Sequence, residues 1–170
     1  GLLNRREFDR IVREEMERSR RFGHAFALIL LDVDHFKRVN DSHGHPTGDE
    51  VLKEVAQRLM NEVRSVDRVI RFGGEEFIVL MVEADEAMAM ALGERLRAAI
   101  ADRPIETGAA PGKALTQTLS GGVAIYPRDG QDAAQIIAAA DQALYEAKAQ
   151  GRNRLVACSG RPFNAPPPLV

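Results

Sequence analysis

The longest unbroken apolar run in the chain, Ala25 to Leu31, stops at Asp32. No other feature constrains the fold as much. A membrane-spanning helix needs about 20 apolar residues, and an amphipathic surface helix would interleave polar ones. The run therefore predicts a strand buried on both faces. Its end carries two acids, Asp32 and Asp34, flanking Val33.

The segments around this strand read as an α/β alternation. Asn4 is placed to cap a helix in which Phe8, Ile11, Val12 and Met16 share one face. After the strand, a short helical stretch at 36–39 gives way to a Gly- and His-rich loop at 42–48. Thr47 and Glu50 have the spacing of a capping box for a helix bearing Val51, Leu52, Val55, Leu59 and Val63. Two β-type runs, 68–72 and 77–82, are separated by Gly73, Gly74, Glu75 and Glu76, which predicts a hairpin with two acids on a glycine-permitted tip. Asp85 starts a helix with Met88, Ala91, Leu92, Leu96 and Ile100; a loop follows at 108–112, and 115–126 alternate as a strand. Asp132 caps a last helix through Leu144 and Ala147, with Gly151 as its C-terminal cap, and 153–157 form a short strand. Residues 1–158 are thus expected as one α/β domain with a hairpin inside a mostly βα alternation. Residues 159–170, with Pro162, Pro166, Pro167 and Pro168, are expected to be a disordered tail.

Composition removes several classes. A chain of 170 residues, 45% hydrophobic and 28% charged, has the balance of a folded domain. Its 23 basic and 25 acidic residues leave a net charge of -2, without the basic excess that duplex binding exchanges for counterions, so no nucleic-acid partner is expected. No apolar run spans a bilayer, so no membrane contact is expected from this domain. The one cysteine, Cys158, cannot form an internal disulfide and no signal peptide leads the chain, which reads as cytoplasmic. The chain opens at Gly1 rather than Met, as a segment cut from something longer would.

The chemistry-bearing residues are mostly acids. No phosphate-binding P-loop and no dinucleotide glycine fingerprint occurs. His43 and His45 invite a zinc reading, but they lack a Cys partner or a second matched pair, and loop histidines are usually solvated. Ionised carboxylates at the end of a buried strand cost desolvation unless a cation pairs with them. Asp32, Asp34, Glu75 and Glu76 would suit Mg2+, which takes a few carboxylate oxygens and leaves other positions to water and substrate phosphates. On spacing alone, two other readings stay open: a solvent-facing Asp34 with ordinary turn glutamates, or the metal-binding DxD of a sugar-nucleotide transferase.

Gly73-Gly74-Glu75-Glu76-Phe77 resembles the signature loop of the GGDEF family, the diguanylate cyclases, in its Glu-for-Asp form. Gly1 to Arg5 is similar to the family's opening motif. Leu31 to Lys37 with Asn40-Asp41 is similar to its first strand and turn, and Gly44-His45 with Gly48-Asp49 to the loop before its long helix. Ala140-Asp141, Ala143 to Tyr145, Ala147-Lys148 and Gly151 to Asn153 match its closing helix and strand. The resemblance covers 1–157. It implies a palm-like nucleotide-cyclase fold, with a central five-stranded mixed sheet flanked by helices. It also implies condensation of two GTP into cyclic di-GMP with release of pyrophosphate, by a homodimer in which each subunit brings one GTP.

The resemblance assigns roles residue by residue. Asp32, the carbonyl of Val33 and Glu75 would hold two Mg2+ per active site, with Mn2+ as a substitute, and Glu75 would accept the proton, with Glu76 beside it. Backbone amides from His35 through Phe36 to Lys37, together with His45, Gly73 and Gly74, would line the substrate, and Lys148 and Arg152 would neutralise its β and γ phosphates. Asn40 and Asp49 would read guanine, whose N1–H and N2–H donate where adenine N1 accepts. Arg64 and Asp67, spaced as the family's RxxD site, with Arg95, would bind cyclic di-GMP as an inhibitor. One departure is Ser120-Gly121-Gly122, where the family more often has Ser-Ile-Gly, and looser packing is expected there. The alternative function is a catalytically silent module that senses GTP or cyclic di-GMP. It is disfavoured because the loop acids, Asp32, Lys148 and Arg152 are all present.

Overall fold

The structure, a computed structural model, describes residues 2–109 and 111–159. Its elements are β1 (Leu3–Asn4), α1 (Arg5–Phe22), β2 (Phe26–Val33), α2 (Phe36–His43), α3 (His45–Glu62), β3 (Arg68–Arg71) and β4 (Glu76–Met81). After them come α4 (Glu86–Ala101), β5 (Ile105–Glu106), β6 (Ala114–Leu115), β7 (Leu119–Tyr126), α5 (Ala133–Ala149) and β8 (Leu155–Ala157). The main sheet has order β1-β3-β4-β2-β7-β8; β5 and β6 form a separate two-stranded piece. β2 is central and antiparallel to both β4 and β7, while β1 and β8 join the edges in parallel.

The apolar run behaves as its composition requires. Every residue of β2 is buried. Ala27, Ile29, Leu31 and Val33 pack toward Val51, Val55, Leu59 and Leu96 of α3 and α4. Phe26, Leu28 and Leu30 pack toward Phe8, Val12, Ile136 and Leu144 of α1 and α5. The period-two alternation thus puts one helix pair on each face.

Local end signals hold where side chains satisfy backbone donors nearby. Asn4 accepts from Arg6 and Glu7 N–H while Glu7 returns a bond to Asn4 N–H, a full capping box, and Asp85 and Asp132 cap α4 and α5. α5 ends at Ala149, and Gly151 turns the chain with φ of 116°.

Five expectations change. The sheet has six strands rather than five, because Leu3–Asn4 pairs with Ile70 and Arg71 as an extra edge strand. The 42–48 loop shrinks to Gly44: α2 continues to His43, and α3 starts at His45 with Pro46 in its first turn. Thr47 therefore lies inside α3 instead of capping it, and Glu50 binds the N–H groups of Gly108 and Ala109. The strand read at 115–126 is split: Leu115 belongs to β6 and pairs with Ile105 of β5, and β7 starts only at Leu119. Packing at Gly121 and Gly122 is tight rather than loose. A β-carbon at Gly122 would run into Ala140 and Leu144 of α5, and one at Gly121 into Leu155 of β8, so the glycines admit those neighbours. The tail at 160–170 lies outside the described residues.

Candidate active site

The end of β2 is where the acids meet. Register pairs Asp32 with Glu76 on β4 and with Ser120 on β7. By alternation Asp32 and Glu76 share the face of Leu30 and Ile78, the side covered by α1 and α5. The hairpin tip is folded against this strand end: Val33 N–H donates to the Glu75 carbonyl at 3.2 Å, Phe72 N–H to the Glu76 carbonyl at 2.9 Å, and Arg71 to the Gly74 carbonyl at 2.8 Å. Glycine at 73 leaves room for the Glu76 carboxylate, whose Oε2 would stand 2.6 Å from a β-carbon there.

Asp32 is 7% exposed, and its nearest cation is Lys148 of α5, Nζ to Oδ2 3.4 Å. Burial pushes its carboxyl up to about 6; Lys148 opposes this, and the charges of Glu75 and Glu76 add to it. Three carboxylates therefore face one ammonium. Among the described residues no three His, Cys, Asp or Glu side chains converge at metal-ligand distance, so a closed protein cage is absent. Few carboxylates, an excess of negative charge and a neighbouring strand-end carbonyl form the donor set that suits Mg2+, which keeps sites for water and phosphate oxygens.

Asp34, two residues on, is equally buried at 5% but serves differently. Its Oδ1 accepts from Ser120 Oγ at 2.7 Å, and its Oδ2 accepts from Thr118 Oγ1 at 2.7 Å and Asn153 N–H at 3.0 Å. Neither the metal nor the solvent-facing reading of Asp34 describes this bonded anchor.

Next along the chain, His35 turns it with φ of 54° into α2, which no side chain caps. Its first amides, at Phe36 and Lys37, are left as an anion-accepting start. Asn40, in the last turn of α2, touches Gly48 on α3, beside Asp49, and Phe36 packs on the same glycine. Lys37, His45 and Asp49 are exposed. Arg152 follows Lys148 across the α5 terminus, with φ of 64°.

The family described as diguanylate cyclase, GGDEF domain, matches residues 1–154. The chain belongs to the GGDEF family. This GGDEF domain is 40% identical to the diguanylate cyclase DosC of Escherichia coli over 91% of its own length and 33% of DosC. It spans less than half the length of the curated relatives it matches. Among solved structures it is similar to the active GGEEF domain of a diguanylate cyclase from Vibrio cholerae, with TM-score 0.83 and 31% identity over 98% of this chain and 100% of that one. It is also similar to the GGDEF domain of DgcB from Caulobacter crescentus in complex with c-di-GMP, with TM-score 0.86 and 31% identity over 93% and 92% of the two chains.

Arg64, Asp67 and Arg95 lie away from this cluster. Asp67 accepts from Val82 N–H, past the end of β4 opposite Glu76, so β4 separates the two groups. Arg64 forks onto Asp67 at 2.8 and 2.9 Å and reaches the Val82 carbonyl, while Arg95 reaches the carbonyl of Glu62 at 2.6 Å. A cavity of about 480 Å³ opens beside Arg64, and Arg10, Arg18 and Arg68 line it. Sequence reasoning passed over those three arginines. The signal present was Arg10 and Arg18, eight residues apart on α1 and close to the same helical face.

Proposed function

We propose that this domain is a Mg2+-dependent diguanylate cyclase that works as a homodimer, each subunit presenting one GTP. The observation that carries the proposal is the charge imbalance at the end of β2, where Asp32, Glu75 and Glu76 outnumber Lys148. Bound at Asp32, the Val33 carbonyl and Glu75, Mg2+ would polarise the phosphates and acidify the attacking hydroxyl. In each of two equivalent steps a 3'-oxygen of one GTP bonds to the α-phosphorus of the other, the bond to the bridging oxygen breaks, and pyrophosphate leaves. A Glu75 carboxylate oxygen takes the hydroxyl proton. Lys148 and Arg152 hold the β and γ phosphates against the uncapped start of α2, which fixes the α-phosphorus for attack. Asn40 and Asp49 select guanine, because adenine would leave the Asp49 carboxylate facing an acceptor. Incubation with GTP and Mg2+ followed by nucleotide chromatography tests this reading. Cyclic di-GMP and two equivalents of pyrophosphate are expected; unchanged GTP at dimer-forming concentrations rejects it.

The cavity beside Arg64 supports product inhibition at a second site. Guanine and phosphate groups would draw the Arg64 guanidinium off Asp67, and the planar fork suits both. Arg64→Ala is expected to lose cyclic di-GMP binding in calorimetry and keep GTP binding. Undiminished product affinity in the variant rejects this assignment.

A further inference from the structure

We propose that Asp34 is the positioning residue for Arg152, setting where the phosphate-binding turn after α5 stands relative to the acids of β2; this rests on Arg152 binding the triphosphate. The turn is one that the local sequence does not favour at Arg152. Gly151, Arg152 and Asn153 have φ of 116°, 64° and 48° in succession; glycine and asparagine enter the left-handed region readily, but for the arginine it is costly. The turn persists because its surroundings hold it. Arg152 N–H reaches the Ala147 carbonyl at 3.0 Å, Gly121 N–H reaches the Arg154 carbonyl at 2.9 Å, and Arg97 reaches Asn153 Oδ1 at 3.0 Å. The bond that ties the turn to the segment just past β2 is Asn153 N–H to Asp34 Oδ2, at 3.0 Å.

Asp34 is itself fixed to β7 through Ser120, Thr118 and its own N–H, which donates to the Thr118 carbonyl at 2.9 Å. One carboxylate thus joins three chain segments, two residues beyond Asp32. Without it the Asn153 N–H has no acceptor, the left-handed residues can relax, and Arg152 loses its station. Asparagine can take over the work. Its oxygen accepts from Asn153 N–H and Thr118, and its NH2 donates to Ser120, whose hydroxyl rotates to accept. Alanine cannot.

The test is calorimetry of GTP and of GMP, each with Ca2+, on Asp34→Ala, Asp34→Asn, Arg152→Ala and the Asp34→Ala/Arg152→Ala double variant. Asp34→Ala is expected to weaken GTP about tenfold, the scale of one charge-assisted contact, with GMP affinity unchanged because the base site is intact. Asp34→Asn should restore GTP binding to within about twofold, and the double variant should bind GTP no worse than Arg152→Ala, the non-additivity of two residues acting through one contact. If Asp34→Ala does not fold, Asp34→Ser replaces it, since its oxygen still reaches a hydroxyl but falls short of Asn153. Equal losses for GTP and GMP, or losses that add in the double variant while Arg152→Ala alone weakens GTP, overturn the role of Asp34. Wild-type GTP affinity in Arg152→Ala overturns instead the phosphate role of Arg152, and the proposal with it.

Discussion

Asp32, on β2, and Asp34, one residue past its end, stand two residues apart and are buried to nearly the same degree, 7% and 5% exposed. On the hairpin side, Asp32 faces two further acids and a single lysine at 3.4 Å, and its carboxyl is pushed up to about 6. On the turn side, Asp34 receives three hydrogen bonds from neutral donors. The difference teaches that burial alone does not mark a reactive carboxylate. What separates them is whether the fold supplies donors: a satisfied carboxylate holds chain segments together, and an under-compensated one is left to attract a cation.

The largest expected effect removes a charge from the hairpin side. Glu75→Gln is expected to lower cyclic di-GMP formation about 10³-fold, the scale of losing a group that acts on developing charge. Its far-UV circular dichroism should be unchanged, because the carbonyl that receives Val33 N–H is main chain. Wild-type turnover in the variant would remove Glu75 from the chemistry.

On the turn side the cost falls on stability. Asp34→Ala strands the part-buried Asn153 N–H and the Thr118 and Ser120 hydroxyls, and denaturant unfolding is expected to show a loss of about 3 kcal/mol. Asp34→Asn should lose less than half of that. An alanine variant as stable as wild type would mean that water replaces the carboxylate.

The same neutral substitution at Asp32 is expected to act in the opposite direction. The folded pKa of about 6 lies above the unfolded 3.8, so the relative stability lent by protonated Asp32 is complete below pH 3.8 and is lost as pH rises through 6. In EDTA, Asp32→Asn should therefore unfold at higher denaturant than wild type at pH 8, by on the order of 2 kcal/mol, with the gain fading toward pH 4. A gain independent of pH would show that the charge of Asp32 is not the cause. Added Mg2+ should shrink the gain at pH 8, since only the wild type then has its acids neutralised.

Much of this contrast was legible in the chain, and part was not. Asp32 was picked out by its place at the end of an apolar run, and Glu75 by glycines that leave a tip open, both short-range signals. The donors to Asp34 lie 84, 86 and 119 positions away, so spacing alone left it undecided between metal ligand and surface acid. Thr47 illustrates the reverse error: a correct capping pattern was overruled by Gly44 and Pro46, which start the helix three residues earlier.

The sequence by itself determined the elements whose energies are local. An unbroken apolar run settled β2, apolar periodicity settled the helix faces, short polar side chains settled the starts of α1, α4 and α5, and a run of ordered motifs settled the family. Only the tertiary structure decided that Leu3–Asn4 adds a sixth strand, that Leu155 fills the space over Gly121, that Arg64 closes on Asp67, and that Asp34 is anchored while Asp32 is not. The physical reason is shared. Caps and periodicity depend on neighbours within a turn or two of chain, whereas the free energy of a buried polar group or an edge strand is set by partners that folding brings from elsewhere.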